Sequence, residues 1–303
     1  MTDPAALPPT TDQADLQNRI SPREGWLIGL LFLVLLGLKV AYAYHFRIDT
    51  DEVQHLHLVW AWSKGLLPYR DVFDNHGPIF HLLYSPLFRV FGERADIIIP
   101  MRLAVIPLWA ISMGCVYILG KTIFSPKVGI WAVLFTAFYP EFLFTSTEFR
   151  TDDLWMTVWL VAMVIAVRGT LQWKRAFGVG LLLGAAFAVT VKTGLMVGSI
   201  GFAGALLVAW GLRWGIKADW SLILRLALAA FAGLLVIPAL LVLFFAWRGA
   251  LRDFIYCNIT HNLVPHGQNW GRLDGHLLWF PVFCLGVAVL IAWRRPANWD
   301  RST

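Results

Sequence analysis

Long apolar runs separated by shorter polar segments recur along the chain from Trp26 to Trp293. Each run has roughly 17–25 residues, which is the length that an α-helix needs to cross a bilayer. We therefore predict an all-α polytopic membrane protein. Its predicted transmembrane helices, about eight in number, lie at 25–46, 96–119, 128–143, 153–168, 176–191, 195–212, 221–247 and 275–293.

The polar segment 47–95 is too long for a tight connection between two of these spans. Within it, Glu52–Lys64 carries two Trp residues that suit the headgroup region, so we predict a helix on the membrane surface. Ile79–Phe91 is predicted to be a second short helix, because it cannot span a bilayer. Asp51 stands where an N-cap carboxylate of the first surface helix would stand, and His55, four residues on, would share its face.

The composition supports this interpretation, with 58% hydrophobic and 15% charged residues against about 25% charged in a soluble domain. A soluble enzyme and a disordered protein are excluded as first interpretations. We interpret the net charge of +6 as membrane topology and expect no nucleic-acid partner. Basic residues concentrate in alternate connections, which predicts that both termini are cytoplasmic.

Three regions follow from these patterns. Residues 1–22, rich in Pro, Thr and Asp, are predicted to be a disordered cytoplasmic tail, 23–295 the transmembrane domain and 296–303 a second cytoplasmic tail. The three cysteines are odd in number and far apart, so they indicate neither a disulfide framework nor a zinc site.

All the histidines fall in the loops that this topology places outside: His45, His55, His57, His76, His81, His261, His266 and His276. Most of the acidic residues fall there too. We therefore expect binding or chemistry on the outer side of the membrane. The alternative is that the outer loops simply hold the polar residues that lipid excludes.

Three outer positions have residue types that suit a site. Asp152 and Asp153 stand at the start of a predicted span, where a helix dipole also favours acids, although paired carboxylates beside lipid are costly without a wet cavity or a cation. Lys192 is the basic residue of its outer turn, and it either extends to the interface or meets a phosphate. The last outer loop, 248–275, carries aromatic, amide and cationic side chains that suit a sugar phosphate, His261 among them.

Several of these residues fall in an ordered set of motifs: Asp51-Glu52, Gly65, Pro68-Tyr69-Arg70-Asp71-Val72-Phe73-Asp74, His76-Gly77-Pro78, Phe91-Gly92 and Met101-Arg102-Leu103. The set resembles the amino-terminal half of bacterial integral-membrane glycosyltransferases of family 39. That family has the GT-C fold and includes relatives of the protein O-mannosyltransferases and the lipid A aminoarabinose transferases.

The resemblance implies sugar transfer from a polyprenyl-phosphate donor to a lipid, glycan or protein acceptor, on the outer face of the cytoplasmic (inner) membrane. It matches Asp51 and Asp152 to catalytic acids, and Lys192 to a lysine near the donor phosphate. The candidate substrate-binding residues are Glu52, His55, Tyr69, Arg70, Asp74, His76, Arg150, Asp153, Lys192 and His261. No cofactor is predicted as obligatory and no metal ligands are assigned, with a divalent cation kept open.

These residue types suit the chemistry. A carboxylate can take the proton of an acceptor hydroxyl, whereas a phosphate leaving group needs cations such as Lys192 or Arg150 rather than a proton donor.

Other functions stay open. A transporter or flippase of lipid-linked sugars is the main alternative, and an outer-face metalloenzyme using His55, His57 and His76 is a weaker one, because there is no HExxH motif. Family members usually continue with further spans, so we expect a short or truncated member. A noncatalytic subunit that needs a partner is therefore the third alternative.

Overall fold

The computed structural model describes residues 20–170, 172–213, 215 and 219–263. Its helices are α1 (Pro22–His45), α2 (Thr50–Ser63), α3 (Ile79–Phe91), α4 (Ile98–Ile123), α5 (Pro126–Phe138), α6 (Pro140–Thr145), α7 (Thr151–Val167), α8 (Trp173–Phe187), α9 (Thr193–Arg213), α10 (Trp220–Trp247), α11 (Leu251–Ile255) and α12 (His261–Leu263), with a π-helical turn at Tyr256–Thr260. The predicted all-α fold class is confirmed, and α2 and α3 match the two predicted surface helices closely.

Among the residues that the structure describes, four helices are long and apolar enough to cross a membrane: α1, α4, α9 and α10. The spans predicted at 153–168 and 176–191 are α7 and α8, which have 17 and 15 residues, fewer than the roughly 20 of a typical span. The predicted span at 275–293 and the tails at 1–19 and 296–303 lie outside the described residues. The number of crossings therefore stays a prediction.

The apolar run predicted as one span at 128–143 is two helices, α5 and α6. The break falls at Tyr139, which is extended (φ −61°, ψ 120°), and Pro140 begins α6. Proline disfavours a helical conformation in the residue before it, so the chain leaves α5 there and starts again.

The start of α2 corrects one interpretation of Asp51. The N-cap is Asp49, whose Oδ1 accepts a hydrogen bond from the Asp51 backbone N–H at 2.9 Å, while Glu52 Oε2 accepts from the Asp49 N–H at 3.0 Å. This reciprocal arrangement is a capping box. The interpretation of Asp51 as the cap is therefore wrong, and the Asp51 side chain lies in the first turn, where it makes other contacts.

Successive long helices alternate in direction. Near the start of α1, Glu24 pairs with Lys127 at the start of α5, with 2.8 Å between Oε1 and Nζ. At the other end of α1, Arg102 of α4 donates from Nη2 to the Arg47 carbonyl at 2.8 Å. Segments 46–78, 146–153, 188–193 and 248–262 thus gather at one end of the bundle, which we call the polar end.

A compact turn fixes the first of these segments. Tyr69 adopts a positive φ of 74°, an uncommon conformation for a non-glycine residue. Its hydroxyl donates to the His76 carbonyl at 2.8 Å, and its ring packs edge-on against Phe245 and Phe254. The loop between α2 and α3 is therefore anchored to the end of α10, which sets the position of the residues that follow it.

Helices α8 and α10 touch backbone to backbone through glycines. A Cβ atom placed on Gly180 would lie 1.9 Å from the Ala230 carbonyl oxygen, and one on Gly233 would lie 2.1 Å from the Phe177 carbonyl oxygen. Small residues at such positions are the usual way for membrane helices to approach closely.

Gly180→Ala is expected to lower the stability of the protein by about 1–3 kcal/mol, because the methyl group would force α8 and α10 apart. Gly178→Ala is the matched control, since a Cβ there has nothing within 4 Å and alanine is the better helix former. Unfolding of both variants in detergent checks this. Equal stability of the two variants would contradict the close packing.

Candidate functional site

Arg150, the residue before α7, lies among three carboxylates at the polar end. Its Nη2 is 2.6 Å from Asp51 Oδ2 and its Nη1 is 3.2 Å from Glu148 Oε2, while Nε is 3.4 Å from Asp152 Oδ2. We call these four residues the Arg150 cluster. The Asp51 and Asp152 side chains are 45% and 59% exposed, so a ligand can reach both candidate catalytic acids.

The guanidinium of Arg150 keeps unused hydrogen-bonding capacity. Although Nε faces Asp152, the geometry is not that of a hydrogen bond, and the buried Nε has no hydrogen-bond partner among the described residues. Burial raises the pKa of the Glu148 carboxyl, against the opposing effect of hydrogen bonds from Tyr42 and Arg150. The Nε–H of Arg150 is therefore a donor that none of the described residues uses.

Behind the cluster, Glu52 and Arg102 form a buried ion pair. Arg102 Nη2 and Nε lie 2.5 and 2.8 Å from the two carboxylate oxygens of Glu52, and neither side chain is more than 1% exposed. Glu52 Oε1 also accepts from the Phe149 N–H at 2.9 Å. One ion pair thus joins the start of α2, the start of α4 and the residues before α7.

A second buried cation lies within the first span. Lys39 is 0% exposed, and its ammonium group donates to Ser146 O at 2.9 Å, Ser146 Oγ at 2.6 Å and Thr147 Oγ1 at 2.9 Å. It is the main positive charge acting on Asp153, which is 3% exposed and whose Oδ2 has no hydrogen-bond partner among the described residues. Asp153 therefore faces the protein interior, unlike its neighbour Asp152.

A third buried polar group consists of Asp74, His81 and His55, which we call the histidine chain. His55 Nδ1 lies 3.0 Å from His81 Nε2, and His81 Nδ1 lies 3.4 Å from Asp74 Oδ2. Asp74 Oδ1 accepts from the His76 backbone N–H at 3.0 Å and lies 3.2 Å from His76 Nδ1. The chain begins on α2 one turn after Asp51, so it adjoins the Arg150 cluster.

The other predicted site residues lie around this centre. Tyr69 is 6% exposed and holds the turn described above. Arg70 is exposed and pairs with its neighbour Asp71. Lys192 is exposed on the turn between α8 and α9, and that turn reaches α7 through a 2.9 Å hydrogen bond from Trp155 Nε1 to Thr193 Oγ1. His261 packs against Phe73, with 4.9 Å between ring centroids.

The part of the chain that the structure describes contains no group of three His, Cys, Asp or Glu side chains arranged to hold a metal ion. His55 and His76 do come together, with ring centroids 4.8 Å apart, but Arg150 occupies the centre of the carboxylates. A divalent cation held between the protein and a bound phosphate stays a prediction.

Four residues of the polar end were not among the candidate site residues: Lys39, His81, Arg102 and Glu148. For Lys39 and Arg102 the sequence did contain a signal, because a lysine or arginine inside an apolar run is costly in free energy unless it has a partner. The partners lie far away in sequence, 50 residues for Arg102 and 107 for Lys39, and no local pattern identifies them.

Comparison with known protein families gives a match that covers part of this centre. The family model for dolichyl-phosphate-mannose-protein mannosyltransferase matches residues 75–237, which is more than half of the chain. The matched segment contains Arg102, Arg150 and Asp152, whereas Asp51 and Glu52 precede it. Neither the curated proteins nor the solved structures give a significant match.

Proposed function

The chain belongs to the dolichyl-phosphate-mannose-protein mannosyltransferase family, and we propose that it transfers a sugar from a polyprenyl-phosphate donor to an acceptor hydroxyl on the outer face of the cytoplasmic membrane. Family membership confirms the resemblance found in the motifs and identifies a membrane glycosyltransferase of the GT-C type. The observation that carries the finer proposal is the Arg150 cluster, where two exposed carboxylates share one arginine.

In this reaction the acceptor oxygen forms a bond to the anomeric carbon of the sugar, and the bond from that carbon to the phosphate oxygen breaks. The electron pair of the broken bond leaves with the polyprenyl phosphate, and the acceptor hydroxyl gives up its proton. We assign the proton to the Asp51 carboxylate and the developing phosphate charge to Arg150, since a positioned base and a fixed cation are the two aids this step needs.

The ion pair between Asp51 and Arg150 requires the donor phosphate to bind before Asp51 can take the acceptor proton. While the pair is intact, Asp51 is occupied by Arg150 Nη2. A donor phosphate competes for the guanidinium and thereby releases the carboxylate for the acceptor. Because three carboxylates surround one arginine, the phosphate also needs another positive charge, which we assign to Lys192 or to a divalent cation.

Sugar transfer in proteoliposomes, from a panel of radiolabelled polyprenyl-phosphate sugars to a mixed lipid, glycan and protein extract, tests the proposal. We expect the protein to transfer one of these sugars, and addition of EDTA shows whether a divalent cation takes part. Movement of the intact lipid-linked sugar across the bilayer without any transfer would overturn the proposal in favour of transport. Transfer that appears only with a second polypeptide would favour the partner-subunit alternative.

A further inference from the structure

The hydrogen bonds of the histidine chain can run in one of two directions, and the donors and acceptors available to its residues determine which. Asp74 is 0% exposed, and His81 and His55 are each 1% exposed. A neutral histidine has one N–H donor and one lone-pair acceptor, so a single proton lies between His55 Nδ1 and His81 Nε2. The ring that donates this proton has a lone pair on its other nitrogen. The ring that accepts it carries its own proton on its other nitrogen.

Asp74 decides which histidine donates. His81 Nδ1 and Asp74 Oδ2 face each other at 3.4 Å, and each is buried without a hydrogen-bond partner among the described residues. A slight closing of this gap gives one N–H···O bond that satisfies both atoms. His81 then carries its proton on Nδ1, its Nε2 accepts from His55 Nδ1, and the lone pair of His55 lies on Nε2.

The direction requires Asp74 to be a carboxylate, and hydrogen bonds to one of its oxygens support that form against the effect of burial. Burial raises the pKa of Asp74, while hydrogen bonds from the His76 ring and backbone oppose that rise. Both of these donors meet Oδ1, whose two lone pairs can accept both hydrogen bonds. Oδ2 is left to face His81.

His55 itself stays neutral. Burial, together with the charges of His76 and Arg150, lowers the pKa of His55 to about 3. A group with so low a pKa is a poor general base near pH 7, but its lone pair still accepts a hydrogen bond. Arg150 is close enough to act on it electrostatically, and Asp51 lies one turn earlier on the same helix.

We propose that the histidine chain holds His55 in the tautomer whose Nε2 accepts a hydrogen bond from a hydroxyl group of the substrate at the Arg150 cluster. Asp74 and His81 are then positioning residues that act through His55. The substrate contact rests on the proposed function, whereas the tautomer does not.

Nitrogen-15 NMR of histidine-labelled full-length protein in lipid nanodiscs tests the tautomer, with signals assigned through His55→Gln and His81→Gln. At pH 7 we expect both rings protonated on Nδ1 only. In Asp74→Asn the amide donates to His81 Nδ1, so both rings should move their proton to Nε2. A wild-type His55 that is charged, or protonated on Nε2, overturns the proposal even if Asp74→Asn does not fold.

Transfer kinetics test the substrate contact. We expect Asp74→Asn to lower transfer by roughly 5- to 150-fold, the effect of leaving one buried hydrogen-bonding group unpaired, and Asp96→Asn, an exposed acid paired with Arg94, to leave it unchanged. A raised KM for the lipid-linked sugar or for the acceptor shows which one carries the hydroxyl. If Asp74→Asn reverses both tautomers but leaves transfer unchanged, the proposed hydrogen bond between His55 and the substrate is wrong. Inactive wild type with the expected tautomer contradicts only the proposed function.

Discussion

Asp51→Asn is expected to lower sugar transfer by roughly 10²- to 10⁴-fold, the usual contribution of a positioned general base. The asparagine side chain has the shape of the aspartate and still accepts a hydrogen bond from Arg150, but it cannot take a proton. Because Asp51 is 45% exposed and does not cap α2, the fold should survive the change. The measurement is the initial rate of transfer in proteoliposomes at matched protein levels.

Asp49→Asn is the matched control, because it makes the same chemical change two residues earlier. Asn and Asp are equally good N-caps, so this variant should keep both the helix and the activity. Full turnover by folded Asp51→Asn protein would remove the assignment of Asp51 as the base. Equal loss of activity in both variants would point instead to the local structure at the start of α2.

Glu52→Ala is expected to destabilise the protein by about 3–5 kcal/mol, the cost of stranding one member of a buried ion pair. Arg102 would keep its bonds to main-chain carbonyls at the end of α1, but its charge would have no carboxylate. The Phe149 N–H would also lose its acceptor. Thermal or denaturant unfolding in detergent micelles measures the loss.

Two further variants distinguish the effect of stranding a buried charge from the general effect of a substitution on stability. Glu52→Gln combined with Arg102→Met removes both charges, so it should recover part of the stability that Glu52→Ala loses. Asp96→Asn breaks an exposed pair with Arg94 and should leave the unfolding midpoint where it was. Wild-type stability in Glu52→Ala would show that the pair does not hold α2 against α4.

The elements that are encoded locally could be predicted from the sequence. Ile79–Phe91 is the helix that its apolar run and flanking Pro and Gly indicate, and α10 follows the apolar run at 221–247 within a residue at its start. The break at Tyr139 was missed because an apolar run outweighed a single proline. The cap of α2 was misplaced because Asp49 and Asp51 both precede the same run.

The site depends on contacts that no local pattern contains. Asp51 and Arg150 were each singled out by residue type, but their 2.6 Å contact joins positions 99 residues apart. His81 lies on α3 and reads locally as one polar residue on an apolar helix. Only the packing of α3 against α2 brings it to His55. Residue chemistry therefore identified candidates, and tertiary structure decided which of them are neighbours.

Lys39 is synthesised long before its hydrogen-bond acceptors, because Ser146 leaves the ribosome 107 residues later. A lysine costs about 2.5–3.5 kcal/mol at the centre of a span, and the Leu, Ile, Phe and Val residues of α1 together offset more than this at roughly 0.3–0.6 kcal/mol each. Because Lys39 lies only six residues before the end of α1, its ammonium group can also extend to the headgroup region until its acceptors are made. Insertion of α1 and burial of Lys39 are therefore separate steps, and the second one waits for the residues that follow α6.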